Sequence, residues 1–275
     1  MLTTTLDGLW VLQVLSGIES LAPELGVRPH LPSAETEQQA LAHPISGDLR
    51  AVGAITDGGI DEIVLEWLTV LARRDIGLLF SRCGSQSADF EGLVLARYSH
   101  WWVALERCGS IVRLGPVGTA LDIRAAEMLI SAEIERRFGD CRPATLRPVA
   151  LRVDQLTATV SDSEGLRRFL FSQRLDHDQL DALLTAGSVE HTTAVSVVAI
   201  QSAPALSGSA DHIDSGAVTV LHTPAGMLMA QQVIREGTTW MLLGPGSPTR
   251  IAKALCAMLE RLPARNEWFS YRKAG

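Results

Sequence analysis

Apolar and polar positions along this chain follow one pattern used twice. Residues 101–130 and 227–259 each read as an apolar strand, a short turn at Gly109 or Gly237, a second strand ending in Leu-Gly-Pro, and an amphipathic helix. Pro116 and Pro245, which close the two copies, lie 129 residues apart. Self-similarity at this spacing predicts one structural unit used twice, with a pseudo-two-fold between copies and halves at about 1–145 and 146–275 of a single domain spanning 1–275.

Asp7 reads as the cap of a first helix whose stripe carries Trp10, Val14 and Ile18, with Pro23 as its stop. The same run is β-rich, so a strand competes for it. Residues 34–52 read as helix broken at Pro44, and Asp61–Arg73 as a helix burying Ile63, Trp67, Val70 and Leu71. A meander of strands follows at 76–82, 92–99, 101–108 and 110–114, then a helix over 120–138. Pro143 and Pro148 mark the crossing into the second half, where 149–153 reads as a linking strand. Helices are predicted at about 164–175 and 177–186, and strands at 192–201, 216–223, 226–235 and 238–243. The last helix starts at Pro248 behind a capping Ser247 and ends near Leu262; Trp268, Phe269 and Tyr271 then pin the tail to the body.

Antiparallel hairpin order with helices on one face makes the fold α+β, a central antiparallel sheet with helical bundles, and not a doubly wound sheet. Two polar segments, 83–91 and 202–215, stand at equivalent places between the first and second strands of the halves. Both are long for hairpin turns, and long loops are where function concentrates.

Composition narrows the function. The 275 residues are 47% apolar and 20% charged, ordinary for a soluble domain with an ample core. A net charge of −7 disfavours nucleic acid as a partner. Lys253 and Lys273 are the only lysines among 24 cationic residues, and the scatter of the arginines fits a GC-rich genome better than selected carboxylate forks. Cys83, Cys108, Cys141 and Cys256 form no Cys-x-x-Cys pair and are expected to be buried, inert thiols. The N-terminus lacks the basic start of a signal peptide, and no apolar stretch reaches 18 residues. These readings predict a cytoplasmic protein with no membrane insertion.

No nucleophile elbow, Walker loop, zinc helix or dinucleotide fingerprint is present. Gly244-Pro245-Gly246-Ser247 could cradle a phosphate at a helix start, but it lacks the Lys-Ser/Thr pair and recurs in part at Gly115, so a structural turn is expected. Asp211-His212-x-Asp214 offers metal-type ligands without a second shell and reads as a solvated loop. His100 beside Trp101 reads as a half-buried rim histidine. Glu127, Glu133 and Glu135, with Arg136 and Arg137, fall opposite Ile123, Leu129, Ile130 and Ile134, which predicts a solvated face. No catalytic residue, metal or cofactor follows from these patterns.

The run Asp-Gly-Leu-Trp-Val-Leu-Gln at 7–13, followed by Ala-Pro-Glu-Leu-Gly-Val-Arg-Pro at 22–29, resembles the start of the EspG family, cytosolic chaperones of mycobacterial type VII (ESX) secretion. The resemblance continues through the Leu-Gly-Pro turns to Leu-Pro-x-x-x-x-Trp at 262–268, essentially the full length. It implies a central antiparallel sheet with helical bundles and quasi-two-fold symmetry. It also implies binding of PE–PPE heterodimers by their apolar PPE tip, through the loop after the first meander strand and the C-terminal helical bundle. On this chain the loop is Ser85, Gln86, Ser87, Asp89, Phe90 and Glu91, and the bundle residues are Leu166, Phe169, Leu170, Leu180, Leu183 and Leu184.

Physical chemistry supports such a role, because an exposed apolar tip invites aggregation and a rigid body can cover it without chemistry. Each proposed anchor has a plainer alternative: Phe90 begins the core face of the next strand, and the leucines pack inside the bundle. With no nucleotide site, release is expected by competition. Two other readings stand beside this one: an enzyme with a pocket between the halves, or a protein that self-associates by pairing strand edges. A monomer or weak homodimer is expected.

Overall fold

The computed structural model describes residues 1–83, 91–139, 142–188, 192–203 and 211–272. The first half runs β1 (Leu2–Thr5), α1 (Leu6–Ser16), α2 (Glu37–Ala42), α3 (Ile45–Ala51), the small hairpin β2 (Ile55–Thr56) and β3 (Gly59–Ile60), then α4 (Glu62–Arg73). It continues with β4 (Ile76–Cys83), β5 (Glu91–Tyr98), β6 (Trp101–Cys108), β7 (Ile111–Thr119) and α5 (Ile123–Phe138). The second half runs β8 (Val149–Arg152), α6 (Val153–Thr159), α7 (Ser163–Ser172), α8 (His177–Ala186), β9 (Thr193–Gln201) and β10 (His212–Ile213). It ends with β11 (Val218–Thr223), β12 (Gly226–Arg235), β13 (Thr238–Pro245) and α9 (Pro248–Leu259).

One antiparallel sheet carries both meanders in the order β1-β7-β6-β5-β4-β9-β11-β12-β13-β8, with β10 beside β9. From either edge inward the connectivity is the same: an edge strand, then the last, third, second and first strands of a meander. The meanders meet where β4 pairs antiparallel with β9, with Leu78 opposite Ala199 and Phe80 opposite Val197. Alternation along each strand splits the core between two faces. On one face Leu93 and Leu95 join Leu78, Val197 and Val220 beneath α5 and α9. On the other, Val94 and Ala96 lie beneath α1 and α4, while Leu228, Ala230 and Leu243 lie beneath α7 and α8. Helices therefore cover both faces, not one.

The Leu-Gly-Pro triplet ends its strand in β13, as expected, but not in β7. β7 runs through Pro116 to Thr119, and β13 runs to Pro245. Proline lacks the N–H of a ladder donor, so it is tolerated only where no neighbour needs one. Edge strand β1 pairs with β7 only over Ile111–Leu114, and β8 pairs with β13 only over Trp240–Leu243. Both prolines lie just past the covered stretch. Gly109 and Gly237 take positive φ, as the hairpin turns require.

Local differences have local causes. Thr5, not Asp7, caps α1, because the residues before it form β1. That helix ends at Gly17 in the left-handed conformation, ahead of Pro23. In α4 Val70 and Leu71 are buried as expected, together with Val64 and Leu68, whereas Ile63 is 57% exposed. α6 has no capping side chain and continues directly from β8, so its sequence carries no start signal.

A side chain of the sheet holds the backbone of the segment Ala22–Pro29. Arg107 on β6 donates to the carbonyls of Leu25 (2.7 Å) and Gly26 (3.0 Å), closing the turn at Pro23–Leu25. Gly26 has a φ of 66°, and a β-carbon there would stand 2.7 Å from that guanidinium. Beyond it Glu35 accepts from Leu31 N (2.8 Å), meets His30 (2.8 Å) and pairs with Arg28 (3.0 Å). The Leu31 hydrogen bond foremost, aided by His30 and Arg28, holds the Glu35 carboxyl at about 2, against 4.5 ordinarily. A depressed carboxyl stabilises the fold fully above its unfolded value and loses that contribution as pH falls through the folded value. The stability difference between wild type and Glu35→Gln is therefore expected to be full above pH 4.5 and to shrink as pH approaches 2. Urea titrations across that range measure it, and a pH-independent difference would refute the assignment.

Candidate functional site

Of the residues expected to grip a partner, Ser85, Gln86, Ser87, Asp89 and Phe90 lie outside the described residues. Glu91 is the first residue of β5 and pairs with Arg82 of β4 at 2.7 Å, closing the base of the β4–β5 loop. That base stands beside the start of β9, where Cys83 pairs with Ala194. β9 follows from α8, and Thr192 donates to the Thr185 carbonyl (2.9 Å) in that helix. The fold thus brings the loop base and the end of the α7–α8 bundle to one rim of the sheet, although about a hundred residues separate them in sequence.

The six bundle residues divide. Phe169, Leu170 and Leu183 are buried against Leu228, Ala230 and Leu243, while Leu166, Leu180 and Leu184 are half-buried around them. In the free protein, then, the first three build the bundle core and the last three form its margin. Sequence periodicity could not make this division, because it depends on which side of each helix meets the sheet. Phe171 was not singled out by that reading: it is 65% exposed on α7, directly after buried Phe169 and Leu170.

Beneath the loop base, on the α5 face, is a cavity of about 380 Å³ lined by Phe80, Arg82, Glu91, Glu106, Arg113 and Arg137, among others. Arg137 pairs with Glu106 (3.1 Å) and Glu133 (2.5 Å), and Arg113 faces Glu106 (3.7 Å). The expectation of a solvated carboxylate face on α5 fails here: Glu133 is 5% exposed. Burial raises the carboxyl of Glu133, but Arg136 and Arg137 outweigh it and hold it below its ordinary value. Glu133 is a buried anion linking α5 to β6 through Arg137 and Glu106. Ile123, expected inside, is exposed, and Glu135 faces solvent as anticipated.

Other candidate chemistry resolves into structure. Gly246 N donates to the Met227 carbonyl (2.8 Å) and Ser247 caps Arg250 N (3.2 Å), so the Gly-Pro-Gly-Ser turn serves the chain itself. Asp214 binds Arg261 (2.6 Å), Asp211 accepts from Ala203 N (3.0 Å), and His212 sits exposed in β10. Among the described residues no group of three His, Cys, Asp or Glu could hold a metal ion. His100 is half-buried and stacks on Trp101, centroids 5.1 Å apart. Cys256 is buried, which pushes its thiol up to about 12, whereas Cys108 is exposed, contrary to expectation. No helix among the described residues is long and apolar enough to cross a membrane.

At the junction of the meanders, Asp75 and Arg97 are both 0% exposed and 3.6 Å apart. Arg97 donates to the carbonyls of Phe269 and Tyr271 (2.8 Å to the latter), and Asp75 accepts from Ser99 N (2.9 Å). The guanidinium also faces the rings of Trp268 and Phe269. These charges fasten the C-terminal tail, as the aromatic run predicted, and face its backbone instead of an open cleft.

Residues 5–257 match the family described as the EspG family. The chain is 42% identical over 275 residues, 99% of each, to the ESX-2 secretion-associated protein EspG2 of Mycobacterium tuberculosis. It is 23% identical to the ESX-5 secretion-associated protein EspG5 of the same organism, over 99% of this chain and 97% of the relative. The fold matches that of the M. tuberculosis type VII secretion chaperone EspG5, solved in complex with a PE25–PPE41 dimer. The TM-score is 0.74, with 22% identity and coverage of 98% of this chain and 99% of the other.

Proposed function

Because the chain belongs to the EspG family, we propose that it is a cytoplasmic, non-enzymatic chaperone of type VII secretion. It binds a PE–PPE heterodimer, covers the apolar tip of the PPE protein, keeps the pair soluble and supports its delivery to the secretion machinery. The observation that carries this reading is the 42% identity with EspG2 over 99% of both chains, which also favours an ESX-2-type system. The geometry supports it, since the β4–β5 loop base and the α7–α8 bundle share one rim. The contact falls there: on Ser85, Gln86, Ser87, Asp89, Phe90 and Glu91 of the loop, and on the bundle margin at Leu166, Leu180 and Leu184. Phe169, Leu170 and Leu183 support that margin from within. Release proceeds by competition for this surface, without nucleotide hydrolysis.

We read the single domain as two related halves, about 1–145 and 146–275, a reading supported by a strand order that is the same from both edges. Co-expression with the PE–PPE pairs of the same genome, followed by size exclusion, tests the function. One heterotrimeric peak containing this chain, one PE and one PPE protein is expected with a cognate pair. Failure to co-elute with every pair overturns the proposal.

A further inference from the structure

We propose that the outer face of α7 is a docking stripe for an acidic segment of the partner, one that carries two or three carboxylates around an apolar side chain. The inference rests on the chaperone reading and names the chemistry that part of its surface recognises.

Arg167, Arg168 and Phe171 share one helical face and are all exposed, and exposed Arg174 follows two residues past the helix end. Among the described residues none of the three guanidinium groups has an ion pair or hydrogen-bond partner. Several arginines elsewhere face carboxylates, as Arg74 does Glu24, Arg82 Glu91, Arg137 Glu133 and Arg261 Asp214, whereas here the cations gather around one exposed ring. In a chain of net charge −7, these three cations, two on α7 and one just past its end, form a local reversal of sign. Phe171 lies at their centre and is the one exposed phenylalanine among those described. Folding does not explain it, since α7 already buries Phe169 and Leu170.

A guanidinium fork matches a carboxylate with two parallel hydrogen bonds. An aromatic ring flanked by arginines is the composition of an interface anchor. A nucleic-acid backbone fits less well, because a chain of net charge −7 repels a long polyanion beyond this one patch. A membrane surface would call for a broad apolar face, and α7 offers one ring. The stripe also adjoins the rim already described, because Leu166 of α7 packs at Gly187, where α8 ends and the chain turns toward β9.

The test uses a purified PE–PPE pair that co-elutes with wild type and measures its affinity at low and high salt. Wild-type binding is expected to weaken about tenfold or more as salt rises. The triple variant Arg167→Gln/Arg168→Gln/Arg174→Gln is expected to bind about 10–100-fold more weakly at low salt and to lose the salt dependence. Phe171→Ala is expected to weaken binding about tenfold and keep the wild-type salt response. Because all four side chains are exposed, melting temperatures should match wild type and exclude misfolding. If both variants bind the pair as wild type does, the stripe is overturned while the chaperone reading stands. If wild type binds no pair, the chaperone reading falls and the stripe with it. Recruitment to anionic phospholipid vesicles that the triple variant abolishes, with pair binding intact, would assign the stripe to membranes and overturn the proposal.

Discussion

Arg97→Leu is expected to cost about 3–5 kcal/mol of folding stability, the largest loss of any single charge removal in this protein. Arg97 and Asp75 are wholly buried, so removing the cation leaves a carboxylate in the interior without its counter-charge. The Phe269 and Tyr271 carbonyls each lose a buried donor and keep only Arg272, and Trp268 and Phe269 lose the cation beneath their rings. Burial pulls the guanidinium down to about 10, still far above neutrality, so the site is charged under physiological conditions. Urea unfolding measures the loss. Trp268 is 0% exposed, and its fluorescence should shift to longer wavelength once the tail detaches. The double variant Asp75→Asn/Arg97→Gln is expected to cost less than the single change, because it removes both charges. A single variant within about 1 kcal/mol of wild type would show that the tail is held by its aromatic packing alone.

Gly226→Ala is expected to cost about 3 kcal/mol or more, through backbone geometry and not through lost contacts. Gly226 opens β12 with a φ of 118°, which side-chain-bearing residues rarely adopt. A β-carbon there would stand 2.8 Å from both Ala144 N and the Arg142 carbonyl. Those backbone atoms cannot withdraw freely: Met227 N donates to the Arg142 carbonyl (2.8 Å), and Ala144 N donates to the Met227 carbonyl (3.0 Å). The same bonds anchor the segment that carries the chain into its second half. Gly237→Ala is the control, because Gly237 has a φ of 75° with nothing within 4 Å of the added carbon. It should pay conformational strain only, about 1–2 kcal/mol. Equal losses in the two variants would eliminate the steric explanation.

The parts of the fold legible in the chain were those dictated by neighbours in sequence. Asp61 and Ser247 cap their helices, Pro44 separates α2 from α3, and Gly109 and Gly237 turn their hairpins, each by chemistry contained in a few adjacent residues. β1 was not legible. Four residues have no strand signal of their own, and they become a strand only because Leu2–Thr5 finds Ile111–Leu114. The candidate surface was legible in its segments but not in its side chains. Leu166 and Leu170 are equally apolar, yet one lies at the bundle margin and the other in its core.

From period and local signals the chain determined two antiparallel meanders, most of its helices and an aromatic tail that packs, and its first thirty residues carried the resemblance to a family. Only the tertiary structure decided that helices sheath both faces and that Glu133 is a buried link between α5 and β6. It also decided that Asp75 and Arg97 hold the C-terminus, and that α7 and the turn after it carry three exposed arginines around an exposed phenylalanine. The reason is range. Caps, turns and periodicity are set by interactions within a few residues, whereas burial, charge pairing and exposure depend on partners brought close by the sheet from far along the chain.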